Sequence, residues 1–164
     1  MLMQAMLVLE IQRTNPRIGD AVAEHYASWV VEEADAHEED PWLIFALGYV
    51  ESRWTARVVR HEGDGSCSVG IGQINVPTCE ARAVERLRDP RENLRQVGTR
   101  LELLRRTCKK DCMGIGWLRG YNPGDRGYVA RVEKVLRRCH EEHDDHQPVV
   151  REVPTGLHLP GMCG

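Results

Sequence analysis

Apolar residues recur at helical spacing over two early stretches of the chain. Between residues 18 and 36 they form a single stripe, which predicts a first amphipathic helix. Residues 42–50 are almost wholly apolar and follow Asp40 and Pro41, an N-cap residue and a proline suited to the first helical position. We therefore expect a second, deeply buried helix that carries Glu51 at its C-terminal end.

The second half of the chain repeats these signals. Asp89 and Pro90 again combine a cap with a proline, and apolar residues keep helical spacing over residues 94–104. A strong turn at residues 122–124 precedes a last apolar stripe over residues 128–139. Each stripe predicts a further amphipathic helix.

Little β-structure is expected between these helices. Residues 63–66 have turn chemistry, and residues 68–74 predict a small hairpin or an irregular loop. The predicted fold class is therefore α+β and predominantly α-helical. We expect one domain over residues 18–139, preceded by a lead segment at residues 1–17. The charged, Pro- and Gly-rich composition of residues 140–164 predicts a disordered tail.

Composition narrows the class of protein. A chain of 164 residues fits one compact domain. The net charge of -3 gives no global basic field, so nucleic acid is not expected as a partner. No stretch is long and apolar enough to predict stable insertion into a membrane. The apolar start lacks the basic region and the cleavage site of a secretory signal.

Six cysteines are more than most cytosolic domains of this size carry: Cys67, Cys79, Cys108, Cys112, Cys139 and Cys163. The even count permits about fifteen complete pairings, and the sequence does not choose among them. We expect bridges that brace loops, between Cys108 and Cys112 and between Cys67 and Cys79. No standard zinc-ligand spacing is present, so disulfides or buried free thiols are favoured over a metal.

Glu51 is the leading candidate for chemistry. It follows an apolar run, so partial desolvation is expected to raise the pKa of its carboxyl. A carboxyl with a raised pKa can protonate a leaving oxygen near neutral pH, which is what cleavage of a glycosidic bond requires. Taken alone, a glutamate at a helix end is usually a solvated residue, so the flanking residues decide the interpretation.

Four short motifs follow one another with predicted helices between them. They are Glu51-Ser52, Gly70-Ile71-Gly72-Gln73, Tyr121-Asn122-Pro123-Gly124 and Tyr128-Val129. In this order they resemble the motifs of family 1 lytic transglycosylases, over roughly residues 18–138. The resemblance implies a lysozyme-like fold and cleavage of the MurNAc–GlcNAc β-1,4 linkage of peptidoglycan, without a cofactor.

The resemblance also implies roles for individual residues. Glu51 would be the single acid and base, and Ser52 would steady the site. In that family the glutamate protonates the glycosidic oxygen and then takes a proton from the C6 hydroxyl of muramic acid. The product is a 1,6-anhydromuramoyl end. Because the sugar's own hydroxyl attacks, no second carboxylate is needed, unlike the scheme of ordinary glycosidases.

The remaining motif residues would contact substrate. The resemblance implies that Gln73 lines the sugar groove, that Tyr121 and Asn122 shape the cleft, and that Tyr128 holds the glutamate or an adjacent sugar through its hydroxyl. It places the protein in the cell envelope or periplasm, or makes it a phage-delivered enzyme. Peptidoglycan glycan strands are the expected partner, with a secretion system or a phage particle as the assembly it would serve.

Two alternatives stay open. The segment from Gly63 to Gln73 also resembles goose-type lysozymes, in which an aspartate at the position of Asp64 follows the glutamate and a second aspartate stands where this chain has Asn75. If Asp64 positions a water molecule, the enzyme is a hydrolytic muramidase that inverts the anomeric centre. Otherwise Asp64 only begins a glycine-rich turn. The alternative from another class is a non-catalytic module of a virion or secretion apparatus that binds glycan strands without cutting them.

Two further features bear on the site. Gly72 stands where the family usually has methionine, so we expect a lost apolar contact and a changed sugar subsite. A histidine-rich group offers metal-ligand chemistry, but its polar surroundings offer nothing to order it, and no metal is expected. Its members are His140, His143, His146, Asp144 and Asp145.

Overall fold

The computed structural model describes residues 1–110 and 112–143. This part of the chain forms six α-helices, a small sheet and a single 3-10 helix. The helices are α1 (Leu2–Thr14), α2 (Asp20–His37), α3 (Pro41–Ser52), α4 (Ala81–Leu87), α5 (Pro90–Thr107) and α6 (Tyr128–His143). The strands are β1 (Val59–His61), β2 (Cys67–Val69) and β3 (Ile74–Val76), and the 3-10 helix is Gly116–Gly120. The predicted mostly helical α+β class is confirmed.

Helix α3 is the centre of the core. All residues from Trp42 to Gly48 are buried, and the helix packs against α1, α2, α5 and α6. It begins as predicted, because the Asp40 carboxylate accepts a hydrogen bond from the backbone N–H of Trp42 at 2.8 Å. Burial on every side fits a helix that is apolar all round. The helix holds Glu51 on its last turn.

The three strands form an antiparallel sheet in the order β1-β2-β3. Strands β2 and β3 pair with Ser68 opposite Asn75, so the predicted hairpin around residues 68–74 is present. Strand β1 adds a third strand, with Val59 opposite Val69. The Gly-x-Gly-Gln turn is therefore the connection between the paired strands β2 and β3.

The first helix extends the domain beyond its predicted start at residue 18. Leu7 and Ile11 of α1 are fully buried, and α1 packs chiefly against α2. The segment is apolar at nearly every position from 1 to 9, so it shows no clean periodic stripe. That absence of a period hid a helix which contributes to the same core.

Helices α5 and α6 confirm the later predictions and extend one of them. Asp89 caps α5 by accepting the N–H of Glu92 at 2.8 Å. Helix α6 continues past residue 139 to His143, because residues predicted as tail contact the start of α3. His140 lies 2.7 Å from the Asp40 carboxylate, and the His143 ring stacks on Trp42. Residues 144–164, the rest of the predicted tail, lie outside the described residues.

The cysteines divide as the loop argument predicted. Disulfides join Cys67 to Cys79 and Cys108 to Cys112. Cys139 is buried and forms no disulfide within the described residues, and burial raises the pKa of its thiol to about 11. Cys163 lies outside the described residues. None of the helices that the structure describes has the length and hydropathy needed to cross a bilayer.

Candidate active site

Glu51 lies on the last turn of α3, where the chain leaves the core. The helix ends abruptly because Arg53 and Trp54 both adopt left-handed backbone conformations, with φ of 53° and 58°. Non-glycine residues seldom adopt this region, and such strain concentrates at functional sites. Ser52 stabilises the turn, since its hydroxyl accepts the N–H of Thr55 at 3.1 Å. The glutamate is thus held on a rigid support.

Burial dominates the electrostatics of Glu51. Its carboxyl is half-buried, and desolvation raises its pKa above the ordinary value of 4.5. Interaction with the Tyr128 hydroxyl and the charges of Arg60, Arg131 and Arg100 act in the opposite direction, but they only offset part of the effect. A glutamate with this balance is protonated at higher pH than a solvated one, as a general acid requires.

Two stacked tyrosines stand beside the glutamate. The rings of Tyr121 and Tyr128 are nearly parallel, with centroids 5.9 Å apart. The Tyr121 hydroxyl donates to the backbone carbonyl of Gly72 at 2.8 Å. The Tyr128 hydroxyl is close enough to Glu51 to lower the pKa of that carboxyl, yet it makes no hydrogen bond of normal geometry with any described residue. It is therefore a buried donor without a full partner.

The Gly-x-Gly-Gln turn brings a second polar group to the same place. Gly70 and Gln73 both have positive φ, at 77° and 47°, which folds the turn tightly. The Gln73 side chain is buried, and its amide nitrogen donates to the Gly70 carbonyl at 3.0 Å. Its amide oxygen has no hydrogen-bond partner among the described residues. Buried polar atoms normally find partners, so this oxygen is a candidate contact for a ligand.

Asn93 of α5 holds the turn and was not identified from the sequence. Its side chain is fully buried. Its oxygen accepts the N–H of Gly72 at 2.8 Å, and its nitrogen donates to the carbonyls of Val69 and Leu87 at 2.8 and 2.9 Å. The available signal was a polar residue within a buried helical stripe, four residues before Val97. A buried amide of this kind must be hydrogen-bonded.

Gly72 is required by packing, which revises the expectation of a lost apolar contact. A Cβ atom at this position would lie 2.2 Å from Cγ2 of Val97 and 3.0 Å from the Tyr121 hydroxyl. Val97 therefore already fills the space next to the turn. A methionine here would displace α5 or break the hydrogen bond of Tyr121.

These elements enclose a cleft of about 590 Å³. Most of its lining is polar, and the sequence-predicted residues Glu51, Asp64, Gln73, Tyr121 and Asn122 all contribute to it. Tyr128 lies behind Glu51, only 1% exposed. Asn75, at the position of the second goose-type aspartate, lines the cleft as well. Further lining residues that the sequence did not single out for the site are Arg60, Glu62, Ser66, Ser68 and Arg100. The cleft offers the many hydrogen-bonding groups that a sugar needs and one half-buried acid.

Asp64 reaches the cleft but also has a structural task. It lies in the turn between β1 and β2, where its carboxylate accepts the N–H of Ser66 at 3.0 Å. Its hydrogen bonds with Ser66 lower the pKa of the carboxyl, which is exposed to solvent. The turn that the sequence predicted is formed. Asp64 remains ionised there, so it is available as a base but not as an acid.

Of the predicted histidine group, His140 and His143 lie in α6, while His146, Asp144 and Asp145 lie outside the described residues. His143 does approach Glu10 and Glu142, with ligand atoms within 4.8 Å of one another. Two arginines already neutralise Glu10, however: Arg13 at 2.9 Å and Arg138 at 3.2 Å. Their positive charges oppose a cation at this place.

Comparisons with models of protein families, with curated proteins and with solved structures each found no match for this chain.

Proposed function

We propose that this protein is a lytic transglycosylase with a lysozyme-like domain, which cleaves the MurNAc–GlcNAc β-1,4 linkage of peptidoglycan. One observation carries the proposal. A half-buried glutamate with a raised pKa faces a polar cleft, and the buried Tyr128 hydroxyl beside it lacks a full hydrogen bond. The four motifs that resemble this family all contribute residues at or next to that cleft.

The reaction begins with Glu51 as the acid. Its protonated carboxyl gives a proton to the glycosidic oxygen, and the bond from that oxygen to C1 of muramic acid breaks. The C6 hydroxyl of the same sugar then attacks C1. The Glu51 carboxylate takes the proton that this hydroxyl loses. The glutamate returns to its starting state, and the products are a GlcNAc hydroxyl and a 1,6-anhydromuramoyl end.

Tyr128 would stabilise Glu51 in its ionised form. Desolvation makes a bare carboxylate costly at this position. A hydrogen bond from the Tyr128 hydroxyl would stabilise the charge that develops when the proton leaves, and such a bond to an ionised group is stronger than one between neutral groups. Gln73 and Asn122 would orient the sugars, since their amides can both donate and accept hydrogen bonds.

A hydrolytic muramidase is the second candidate, and Asp64 is the reason to keep it. Its ionised carboxylate lines the same cleft as Glu51. A base across the cleft could activate water, and water attack would leave reducing ends with inversion. Against this, the Asp64 carboxylate already accepts hydrogen bonds in the β1–β2 turn. A non-catalytic glycan binder is the third candidate, and the raised pKa of Glu51 argues against it.

The two disulfides fit an oxidising compartment, which supports a place in the cell envelope. Peptidoglycan strands are the proposed partner. Wall passage by a secretion apparatus or a phage particle is the setting in which a small muramidase of this type would act.

The deciding experiment is mass spectrometry of fragments released from purified sacculi. Anhydro ends are lighter than reducing ends by one water and would establish the transglycosylase. Reducing ends would establish the hydrolase and make Asp64→Asn the next variant to test. Glu51→Gln is the control, and it should release nothing. Release by that variant would refute the role of Glu51, whereas sacculus binding without release by the wild type would favour the binding module.

A further inference from the structure

A second groove, of about 610 Å³, lies between the end of α3 and the outer face of α6. Positive side chains dominate its lining. Five are cationic and one is a carboxylate: Arg53, Arg131, Lys134, Arg137, Arg138 and Glu141. The whole chain carries a net charge of -3. The local positive charge of the groove is therefore opposite in sign to the net charge of the chain.

Ion pairs inside the protein account for only part of this charge. Arg131 pairs with Asp125, Arg138 pairs with Glu10, and Arg137 lies 3.7 Å from the Glu141 carboxylate. Five cations thus face three carboxylates. Neither Arg53 nor Lys134 forms an ion pair with a carboxylate in the described part of the chain. The groove keeps an excess of positive charge for a partner.

The floor of the groove holds two of these arginines in place. Tyr49 is half-buried there, and the Arg53 guanidinium lies 4.0 Å from the centre of its ring. Arg138 lies 5.4 Å from the same centre. Contacts with an aromatic ring reduce the freedom of an arginine side chain, and the planar guanidinium binds a carboxylate with two parallel hydrogen bonds. The groove is therefore suited to carboxylates.

The groove and the cleft meet at the last turn of α3. Tyr49 and Val50 line the groove and directly precede Glu51, which lines the cleft. Arg131 lines the groove, and its charge reaches Glu51, because it lowers the pKa of that carboxyl. Both surfaces therefore include residues of the last turn of α3.

We propose that the groove binds the carboxylates of the peptide that peptidoglycan carries on its muramic acid residues. This inference rests on the proposed function. The glycan backbone is uncharged and suits the polar cleft, whereas the stem peptide is joined to the lactyl group of muramic acid and bears free carboxylates. With a muramoyl residue held at Glu51, the attached peptide lies next to that turn, where the cationic groove begins.

The test compares two substrates and two matched variants. The substrates are intact sacculi and glycan strands from which an amidase has removed the peptides. Lys134→Gln with Arg137→Gln removes two exposed charges of the groove. Arg82→Gln with Arg106→Gln is the control, because it removes two exposed helical charges elsewhere. Arg106 has a carboxylate partner four residues away, as Arg137 does, and Arg82, like Lys134, has no ion pair to a described carboxylate.

The groove variant should cleave intact sacculi about fivefold more slowly than wild type, the effect of losing two exposed charge contacts. Its rate on peptide-free strands should match that of wild type, and the control should match wild type on both. Equal rates of groove variant and wild type on sacculi would overturn the inference, as would the same loss on both substrates.

A binding measurement separates this inference from the proposed function. In a Glu51→Gln background, co-sedimentation with intact sacculi should fall when Lys134 and Arg137 are changed, and co-sedimentation with peptide-free strands should not. If the wild type cleaves neither substrate, the transglycosylase proposal fails. In that case, weaker binding of the groove variant to sacculi would still support recognition of the peptide. Equal binding of the two proteins to sacculi would overturn it.

Discussion

Replacing Tyr128 by phenylalanine separates stability from activity in a way that few other substitutions here can. The Tyr128 side chain is 1% exposed, and its hydroxyl has no full hydrogen bond among the described residues. The neighbouring Tyr121 is buried as well, but its hydroxyl donates to Gly72 at 2.8 Å. The two rings stack on each other, so Tyr→Phe at either position tests a hydroxyl in nearly the same surroundings.

The two substitutions should change the free energy of unfolding differently. A buried polar group without a partner costs about 1–3 kcal/mol, so Tyr128→Phe should leave the free energy of unfolding unchanged or raise it. Tyr121→Phe removes a made hydrogen bond and leaves the Gly72 carbonyl unsatisfied, which should lower that free energy by about 1–3 kcal/mol. For activity the order reverses. A hydrogen bond to an ionised group contributes about 1.5–3 kcal/mol, so Tyr128→Phe should slow cleavage about 10- to 100-fold.

Urea unfolding at pH 7 gives the stabilities, and release of soluble fragments from sacculi gives the rates. Measurement of both tyrosine variants on the same preparation controls for substrate quality. A Tyr128→Phe enzyme that is as active as wild type would refute the idea that the free hydroxyl serves the reaction. A Tyr128→Phe protein less stable than Tyr121→Phe would refute the assignment of partnered and unpartnered hydroxyls.

Three more outcomes follow from the site. The raised pKa of Glu51 means that its contribution to stability is complete below 4.5 and is lost as pH rises through the folded-state pKa. Glu51→Gln should therefore be more stable than wild type at pH 7 by urea unfolding, with a gap that closes towards pH 4 and activity reduced at least about 10²–10⁴-fold. Asn93→Leu leaves three buried backbone groups unpaired and should lower the free energy of unfolding by about 3–5 kcal/mol. The variant should lose activity while it keeps its helical circular dichroism. A change in the free energy of unfolding under about 1 kcal/mol would contradict the role of Asn93. Replacing Cys67 and Cys79 by serine removes the disulfide that closes a loop with a sequence separation of 12, which should lower the free energy of unfolding by about 3 kcal/mol. Urea unfolding measures this loss, with the wild type in reductant as the comparison.

The elements that the sequence predicted well are those whose signals are local. Asp40 with Pro41 and Asp89 with Pro90 mark helix starts through hydrogen bonds made within three residues, so α3 and α5 could be located without knowledge of the fold. The apolar run before Glu51 likewise indicated a buried helix that ends at this carboxyl. Helix α1 was missed because its apolar residues show no clean period, although tertiary packing against α2 buries Leu7 and Ile11.

The sequence by itself determined the identity of the candidate acid, the turn that faces it and the loops that the disulfides brace. Only the tertiary structure decided how these parts act on one another. Asn93 holds the turn across 21 residues of chain, and Tyr121 reaches Gly72 across 49. Arg131 comes from α6 to act on the charge of Glu51, and the cationic groove forms between two helices. Hydrogen bonding, desolvation and charge interaction depend on distance in space, which local spacing along the chain does not encode.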